Sequence, residues 1–173
     1  RACLAGIERC GGADVIVILD ADYSDYPEDL PALLAPLERG EADLVIGSRV
    51  LGGAEPGSLP WNQRFGNRLA CWLMELLYGV QFTDMGPFRA IRRDALARLE
   101  MRDPTYGWNV EMQAKAIIAG LRIREIPVRY RRRIGRSKIS GTVKGTIRAG
   151  TRIISTILLY YPSYRRSRRN RRA

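Results

Sequence analysis

The chain has 173 residues, 46% of them hydrophobic, and carries 29 lysines and arginines against 18 acids for a net charge of +11. That hydrophobic share excludes wholesale disorder, and the length allows one domain with a proper core and little room for a second. The charge points to anionic partners: nucleic acid, phospholipid head groups or phosphorylated substrates. Three scattered cysteines (Cys3, Cys10, Cys71) spell neither a zinc site nor a disulfide framework and suit a reduced, cytosolic setting.

Residues 1–10 read as the second half of a helix, with Cys3, Leu4 and Ile7 on one face, stopped by Gly11-Gly12. A chain that opens in mid-crossover is expected to lack an N-terminal part. Val15 to Leu19, five apolar and mostly β-branched residues, read as a strand buried on both faces, as in a parallel sheet. It runs straight into Asp20-Ala21-Asp22. The carboxyl edge of a parallel strand is where open α/β sheets hold their ligands. Two carboxylates there, with no histidine or cysteine nearby, suit Mg²⁺ or Mn²⁺ carrying a phosphorylated substrate.

Pro27, Glu28 and Asp29 mark a helix start whose buried side is Leu30, Leu33, Leu34 and Leu37, ending at Gly40. Asp43 to Gly47 is a second short strand, delivering Ser48 and Arg49 to the same edge as the acids, in a βαβ unit of ordinary length. Residues 51–60, with three glycines and two prolines, form a loop. Trp61 to Tyr78 is a helix, with Phe65, Leu69, Trp72, Leu73, Leu76 and Leu77 at helical spacing; base rates of burial assign its aromatics to the core.

Thr83 to Pro87 is a turn, followed by Phe88 to Ile91 and a short helix over 93–99. A helix over 110–119 carries Glu111 in its first turn and is capped by Gly120. Residues 121–130 alternate apolar with arginine and slip near Pro127, as an edge strand with a bulge would. A basic loop, 131–138, has Gly135 as its hinge. The helix over 141–161 shows an apolar seam beside Lys144, Arg148 and Arg152, each four residues apart. Its longest uncharged run is about half of what a bilayer span needs, so two readings remain: a helix lying in the membrane interface, or one packed on the sheet. The arginine-rich tail from Arg165 is too charged to fold and suits a clamp onto anionic lipid, with nonspecific nucleic-acid affinity as the competing reading.

Taken together, these pieces resemble the family 2 glycosyltransferases of the GT-A fold, and among them the polyprenyl-phosphate sugar synthases. The likeness runs from about Arg1 to Tyr161. It rests on Leu19-Asp20-Ala21-Asp22, Ile46-Gly47-Ser48-Arg49, Trp61 with Arg64, Phe88-Arg89-Ala90, Gly107 with Glu111, Glu125-Ile126-Pro127-Val128, and Arg132 with Gly135, Ser137 and Lys138. One paired-acid motif is weak; seven elements in order at workable spacing are strong.

The resemblance implies an α/β, Rossmann-like, mostly parallel sheet flanked by helices, with a C-terminal amphipathic helix and basic tail. The glycosyltransferase portion would cover 1–138, an interfacial helix 139–161 and a disordered basic tail 162–173. It implies an inverting transferase at the cytoplasmic membrane face, peripherally attached to an anionic surface. Such an enzyme would move a sugar from a GDP- or UDP-sugar to a polyprenyl phosphate, with no specific nucleic-acid partner. Asp20 and Asp22 would hold Mg²⁺ or Mn²⁺. Arg132, Ser137 and Lys138 would bind the donor diphosphate, with Arg132 and Lys138 counted with the two acids as catalytic, and Arg49, Arg64 and Arg68 would bind the acceptor.

Three departures stand out. Ser24, with Asp25 beside it, stands where the synthases carry a further glutamine ligand. The segment from Thr83 to Arg89 is one residue short, and Arg68 replaces a small hydroxyl residue. In the family the first two strands hold the base and ribose, so residues 1–173 by themselves are expected to bind nucleotide-sugar poorly. A soluble hydroxyl acceptor would instead demand a base, for which Asp84 and Glu111 are the candidates. A basic nucleic-acid-binding module is a further alternative and leaves the paired acids unexplained.

Overall fold

The computed structural model describes residues 2–135 and 143–171. In chain order the elements are α1 (Ala2–Arg9), β1 (Val15–Ile18), a 3₁₀ turn (Pro27–Asp29), α2 (Leu30–Glu38), β2 (Leu44–Ser48), α3 (Arg49–Gly52), α4 (Trp61–Tyr78), β3 (Arg89–Arg92), α5 (Arg93–Leu99), α6 (Trp108–Ala119), β4 (Ile123–Pro127) and α7 (Val143–Asn170). The strands form one sheet in the order β1-β3-β2-β4. β3 runs antiparallel to both neighbours, with Ile91 opposite Ile16 on one side and Leu44 on the other; β2 and β4 are parallel, from Leu44 opposite Ile123 to Ser48 opposite Pro127.

Two helical layers close the sheet. On one face Leu33 and Leu37 of α2 pack with Val45, Phe88, Ala90 and Val128. On the other, Ile16, Leu44, Ile46 and Ile91 pack with Met74 and Tyr78 of α4, Met112 of α6 and Ile157 of α7. The alternation Leu44-Val45-Ile46 therefore feeds both cores from one strand, as the period of two requires.

Four expectations change. β1 and β2 point the same way and are joined through α2, but they are not hydrogen-bonded neighbours. β3 lies between them because Ala90 and Ile91, buried on opposite faces, need a central position. The sheet is thus mixed, and β1 sits at an edge with only Ile16 fully buried. The aromatics of α4 are not core: Trp61 is 80% exposed, Phe65 64% and Trp72 54%, because the helix buries the stripe Ala70, Cys71, Met74 and Tyr78 instead. The segment 162–170 is helical, not a disordered tail. Tyr164 donates to the Tyr78 carbonyl (2.6 Å), and Ser167 Oγ donates to the Ile118 carbonyl (3.1 Å), so the last turns lie along α4 and α6. Pro162 sits within that helix.

Candidate active site

The carboxyl ends of β1, β2 and β4 and the start of β3 open onto one edge of the sheet, where residues 19–26, 48–52, 83–88 and 128–134 meet. Just after β1 the chain turns tightly, with Tyr23 at φ +72°, and folds its acids inward. The Asp20 amide donates to Asp25 Oδ2 (2.9 Å). Asp22 Oδ1 accepts from the Ser24 amide (3.1 Å) and from the Ser24 hydroxyl, while Asp22 Oδ2 is paired with the Arg133 guanidinium. Ser24 and Asp25 are buried beneath this turn.

The two acids differ in consequence. Burial, then the neighbouring Asp22 charge, raises the Asp20 carboxyl above its usual range, against the pull of Arg49, Arg133 and Arg89. Burial would also raise Asp22, but the hydrogen bonds from Ser24 and the charge of Arg133 outweigh it and lower the group. Asp25, desolvated and beside Asp20, is pushed up to about 6.

From β2, Ser48 caps α3 by accepting the Leu51 amide (3.1 Å) and shares a hydrogen bond with Thr83 Oγ1 (2.7 Å). Arg49 is then gripped by Asp84. Its amide and Nε donate to Oδ2, both at 2.8 Å, and its Nη2 to Oδ1 at 2.7 Å, with the guanidinium 5.0 Å from the Tyr130 ring centre. Desolvation would lower the Arg49 pKa, but the bonds to Asp84 raise it, so the group is a permanent cation. Its Nε–Nη2 fork is spent on the Asp84 carboxylate, the bidentate pairing that a guanidinium favours.

Asp84 is itself held from three sides. Glu125 in the middle of β4 accepts the Thr83 amide (2.9 Å) and the Asp84 amide (3.1 Å). Asn67 of α4 donates to the Thr83 carbonyl (3.1 Å) and accepts the Met85 amide (2.8 Å). Asn109 of α6 donates to the Met85 carbonyl (3.2 Å). Beneath them Arg89 is wholly buried, donating to the Asn109 carbonyl (3.0 Å) and to the Gly86 carbonyl; burial draws its pKa down to about 10.

The expected site residues thus divide. Asp20, Asp22, Arg49 and Asp84 come together at this edge. Asp84 is 1% exposed and committed to Arg49, which makes it a positioning group rather than a free base. Glu111 is not at the edge. It is fully buried and accepts from the Arg102 amide (3.0 Å), the Asp103 amide (2.6 Å), Lys115 Nζ (2.8 Å) and the Tyr160 hydroxyl (2.7 Å), so it braces α6 against α7 and reaches no substrate.

Arg132 donates twice to the Pro56 carbonyl (3.0 and 2.9 Å), away from the acids, and its neighbour Arg133 faces them. Arg64 and Arg68 flank Asn67 along α4 and are exposed. Ser137 and Lys138 lie outside the described residues. Sequence reasoning missed Arg133 and Asn67. Alternation along an extended 131–133 would have separated Arg132 from Arg133, while a helical asparagine aimed at a loop gives no signal of its own.

The donor set fits a hard divalent cation. It is made of oxygens only, and Asp25 Oδ1 is buried without a hydrogen-bond partner beside the pair. Among the described residues no three acidic, cysteine or histidine side chains converge as a complete metal cage. Two carboxylates with waters and substrate phosphate oxygens are the usual provision for Mg²⁺, and the pair supplies that.

Residues 1–100 match the model of glycosyl transferase family 2. An uncharacterised glycosyltransferase of Mycobacterium tuberculosis is 36% identical over 135 residues, covering 77% of this chain and 60% of that protein. The undecaprenyl-phosphate mannosyltransferase of Micrococcus luteus is 35% identical over 145 residues, 81% of this chain and 58% of that one. The polyprenol monophosphomannose synthase of Mycolicibacterium smegmatis is 33% identical over 142 residues, 79% and 52%. The chain therefore spans between about half and 60% of the length of these relatives.

Among solved structures, glucosyl-3-phosphoglycerate synthase from Mycobacterium tuberculosis, in complex with Mn²⁺, UDP-glucose and phosphoglyceric acid, superposes with a TM-score of 0.66. It is 20% identical, with 88% of this chain and 51% of that one covered, and the two share the GT-A fold. With the family model matching more than half of its residues, the chain belongs to glycosyl transferase family 2.

Proposed function

We propose that this chain carries the metal and acceptor sites of an inverting, metal-dependent glycosyltransferase. The enzyme moves a sugar from a GDP- or UDP-sugar to a polyprenyl phosphate at the cytoplasmic face of a membrane. The observation that carries the reading is the shared sheet edge, where the Asp20–Asp22 pair faces an arginine held rigid by a buried carboxylate. Two relatives are named for polyprenyl-phosphate mannose chemistry, which supports the acceptor class.

Asp20 and Asp22 would hold Mg²⁺ or Mn²⁺, which would supply Lewis acidity to the leaving diphosphate. The chain's own residues do the rest. Arg49, fixed by Asp84, presents the acceptor phosphate; Arg64 and Arg68, exposed on α4, extend the same cationic surface. An acceptor phosphate oxygen attacks the anomeric carbon from the face opposite the diphosphate, and the electrons of the breaking C–O bond leave with that diphosphate. A phosphate monoester has a second pKa of about 6 and is already ionised at neutral pH, so the step needs no general base. That accords with a chain without histidine, whose buried Asp84 and Glu111 are otherwise engaged. Arg132, Ser137 and Lys138 are assigned to the loop that neutralises the departing diphosphate.

The membrane assignment rests on a surface. α4 and α7 run side by side in the same direction, joined by Asn62 to Thr146 (3.1 Å) and by the Tyr78 hydroxyl to the Ile157 carbonyl (2.6 Å). Along α4 the exposed Trp61, Phe65, Trp72 and Leu76 form one row, and Ile147 and Leu158 of α7 are also exposed. Among the described residues no helix is long and apolar enough to cross a membrane. An aromatic row with arginines beside it suits the boundary between head groups and acyl chains.

The deciding experiment is transfer of radiolabelled sugar by the full-length protein. It should be run with GDP- and UDP-sugars, with and without polyprenyl phosphate and Mn²⁺, beside Asp22→Asn. Label in the lipid phase that needs both additions and Asp22 supports the reading; transfer to a soluble hydroxyl acceptor alone overturns the lipid-phosphate acceptor.

A further inference from the structure

Arg133 is the basic residue of the 131–135 segment that touches the acids, and its placement is built by more than its own ion pair. The Arg131 amide donates to the Ser24 carbonyl (3.0 Å) and the Ile134 amide to the Asp22 carbonyl (2.9 Å), so the backbone on both sides of Arg133 is fastened to the acidic turn. Tyr130 bridges to Asp25 just upstream. The Arg131 guanidinium lies 3.3 Å from the centre of the Tyr23 ring and 4.3 Å from that of Tyr26, closing the same seam. With Arg132 turned to Pro56 and Arg131 donating to the Tyr23 carbonyl, Arg133 is the side chain that this segment places on Asp22.

Asp22 Oδ1 is taken by Ser24, so Oδ2, the oxygen left for a metal, is the one the Arg133 guanidinium holds. Three carboxylates, Asp20, Asp22 and Asp25, crowd this turn, and an uncompensated cluster would repel itself. A guanidinium and a divalent cation cannot share one carboxylate oxygen without like-charge repulsion. Tethered on both sides, Arg133 has a side chain long enough to leave that oxygen while its backbone stays in place. The nearest new anion would then be a diphosphate brought in on the metal, which a guanidinium fork matches.

We propose that Arg133 is an exchangeable counter-cation. It neutralises Asp22 until a divalent metal arrives, is displaced by that metal, and then bonds the donor's diphosphate, which couples metal binding to nucleotide binding. This rests on the metal-and-diphosphate reading above. The assignment makes Arg133, in addition to Arg132, a diphosphate ligand.

The test is Mn²⁺ affinity of the full-length protein by electron paramagnetic resonance, alone and with saturating GDP or UDP. The variants are Arg133→Ala, Arg129→Ala and Asp22→Asn. Arg129, four residues upstream, carries the same charge but is paired with Asp29 (2.6 Å), so it controls for net charge alone. Expected for Arg133→Ala is Mn²⁺ binding about five-fold tighter without nucleotide, as loss of a partly exposed ion-pair competitor implies. The enhancement of Mn²⁺ binding by nucleotide should be reduced, while Arg129→Ala changes neither. Unchanged or weaker Mn²⁺ binding by Arg133→Ala, with Asp22→Asn abolishing it, overturns the exchange and leaves the metal site standing. Full Mn²⁺ binding by Asp22→Asn overturns the metal reading itself.

Discussion

At the scale of single residues, the site turns on which charges are fixed and which can move. Arg49 is fixed: three hydrogen bonds to Asp84 hold it, and Glu125, Asn67 and Asn109 hold the turn around Asp84. Removing one partner of a buried ion pair strands the other, at a cost of about 3 kcal/mol or more. Asp84→Ala is therefore expected to lower unfolding free energy by about 3 kcal/mol, measured by urea titration. Asp84→Asn, which keeps the shape but weakens the grip, should fold and show a raised KM for the acceptor. An Asp84→Asn enzyme with unchanged acceptor KM would remove Asp84 from the positioning role. Asp20, Asp22 and Arg49 were legible as residues because each ends a short apolar run at a predictable sheet edge. Glu111 was misread because a lone acid in a helix's first turn looks the same in sequence whether it faces solvent, substrate or four buried donors.

At the scale of elements, α4 shows how periodicity can locate a helix and still misplace its buried face. Its bounds, Trp61 to Tyr78, are those the spacing predicts. Two stripes compete along it, one of aromatics and leucines and one of Ala70, Cys71, Met74 and Tyr78. The smaller stripe is buried because it lets the helix approach the sheet and α7 closely. Trp61→Ser with Phe65→Ser is expected to lower co-sedimentation with anionic vesicles about ten-fold or more, since each side chain carries on the order of 2 kcal/mol of apolar transfer energy. Thermal stability should be nearly unchanged because both side chains are exposed in the folded chain. Equal vesicle binding by the double variant would detach this row from the membrane.

α3 makes a contrasting demand. A Cβ on Gly52 would run into the Val128 backbone, so only glycine lets α3 lie against the strand end that carries Tyr130 and Arg131. Gly52→Ala is expected to destabilise by about 2 kcal/mol through forced backbone movement, read as a lowered urea midpoint at unchanged slope.

At the scale of the whole molecule, Glu111 and Asp103 join the C-terminal helix to the body. Burial would raise Glu111, but hydrogen bonds from Lys115, the Asp103 amide and Tyr160 bring it below its usual 4.5. Asp103 is likewise lowered, from 3.8, by Thr105 and Arg152 against its own desolvation. A carboxylate whose folded pKa is depressed stabilises the fold above its unfolded value and loses that contribution as pH falls through the folded value. Stability is therefore expected to decline below about pH 4.5 on this account. Glu111→Gln should cost about 2 kcal/mol at pH 7, with the difference from the parent chain shrinking towards pH 3, measured by urea unfolding across that range. A pH-independent difference would mean that Glu111 acts through packing rather than charge.

What the sequence determined by itself is local. Short β-branched runs, helical spacing and the helix-ending glycines Gly40 and Gly120, both in left-handed conformation, place the elements, and paired acids at a strand's end mark the candidate site. What only the tertiary structure decided is non-local: the insertion of β3 between β1 and β2, the exposed aromatic face of α4, the docking of residues 162–170, and the choice of Arg133 over Arg132 at Asp22. Each of these depends on which of two similar surfaces finds a partner far away along the chain. Local propensity is the same for both outcomes, and the free energy of burial separates them only once the partner is in place.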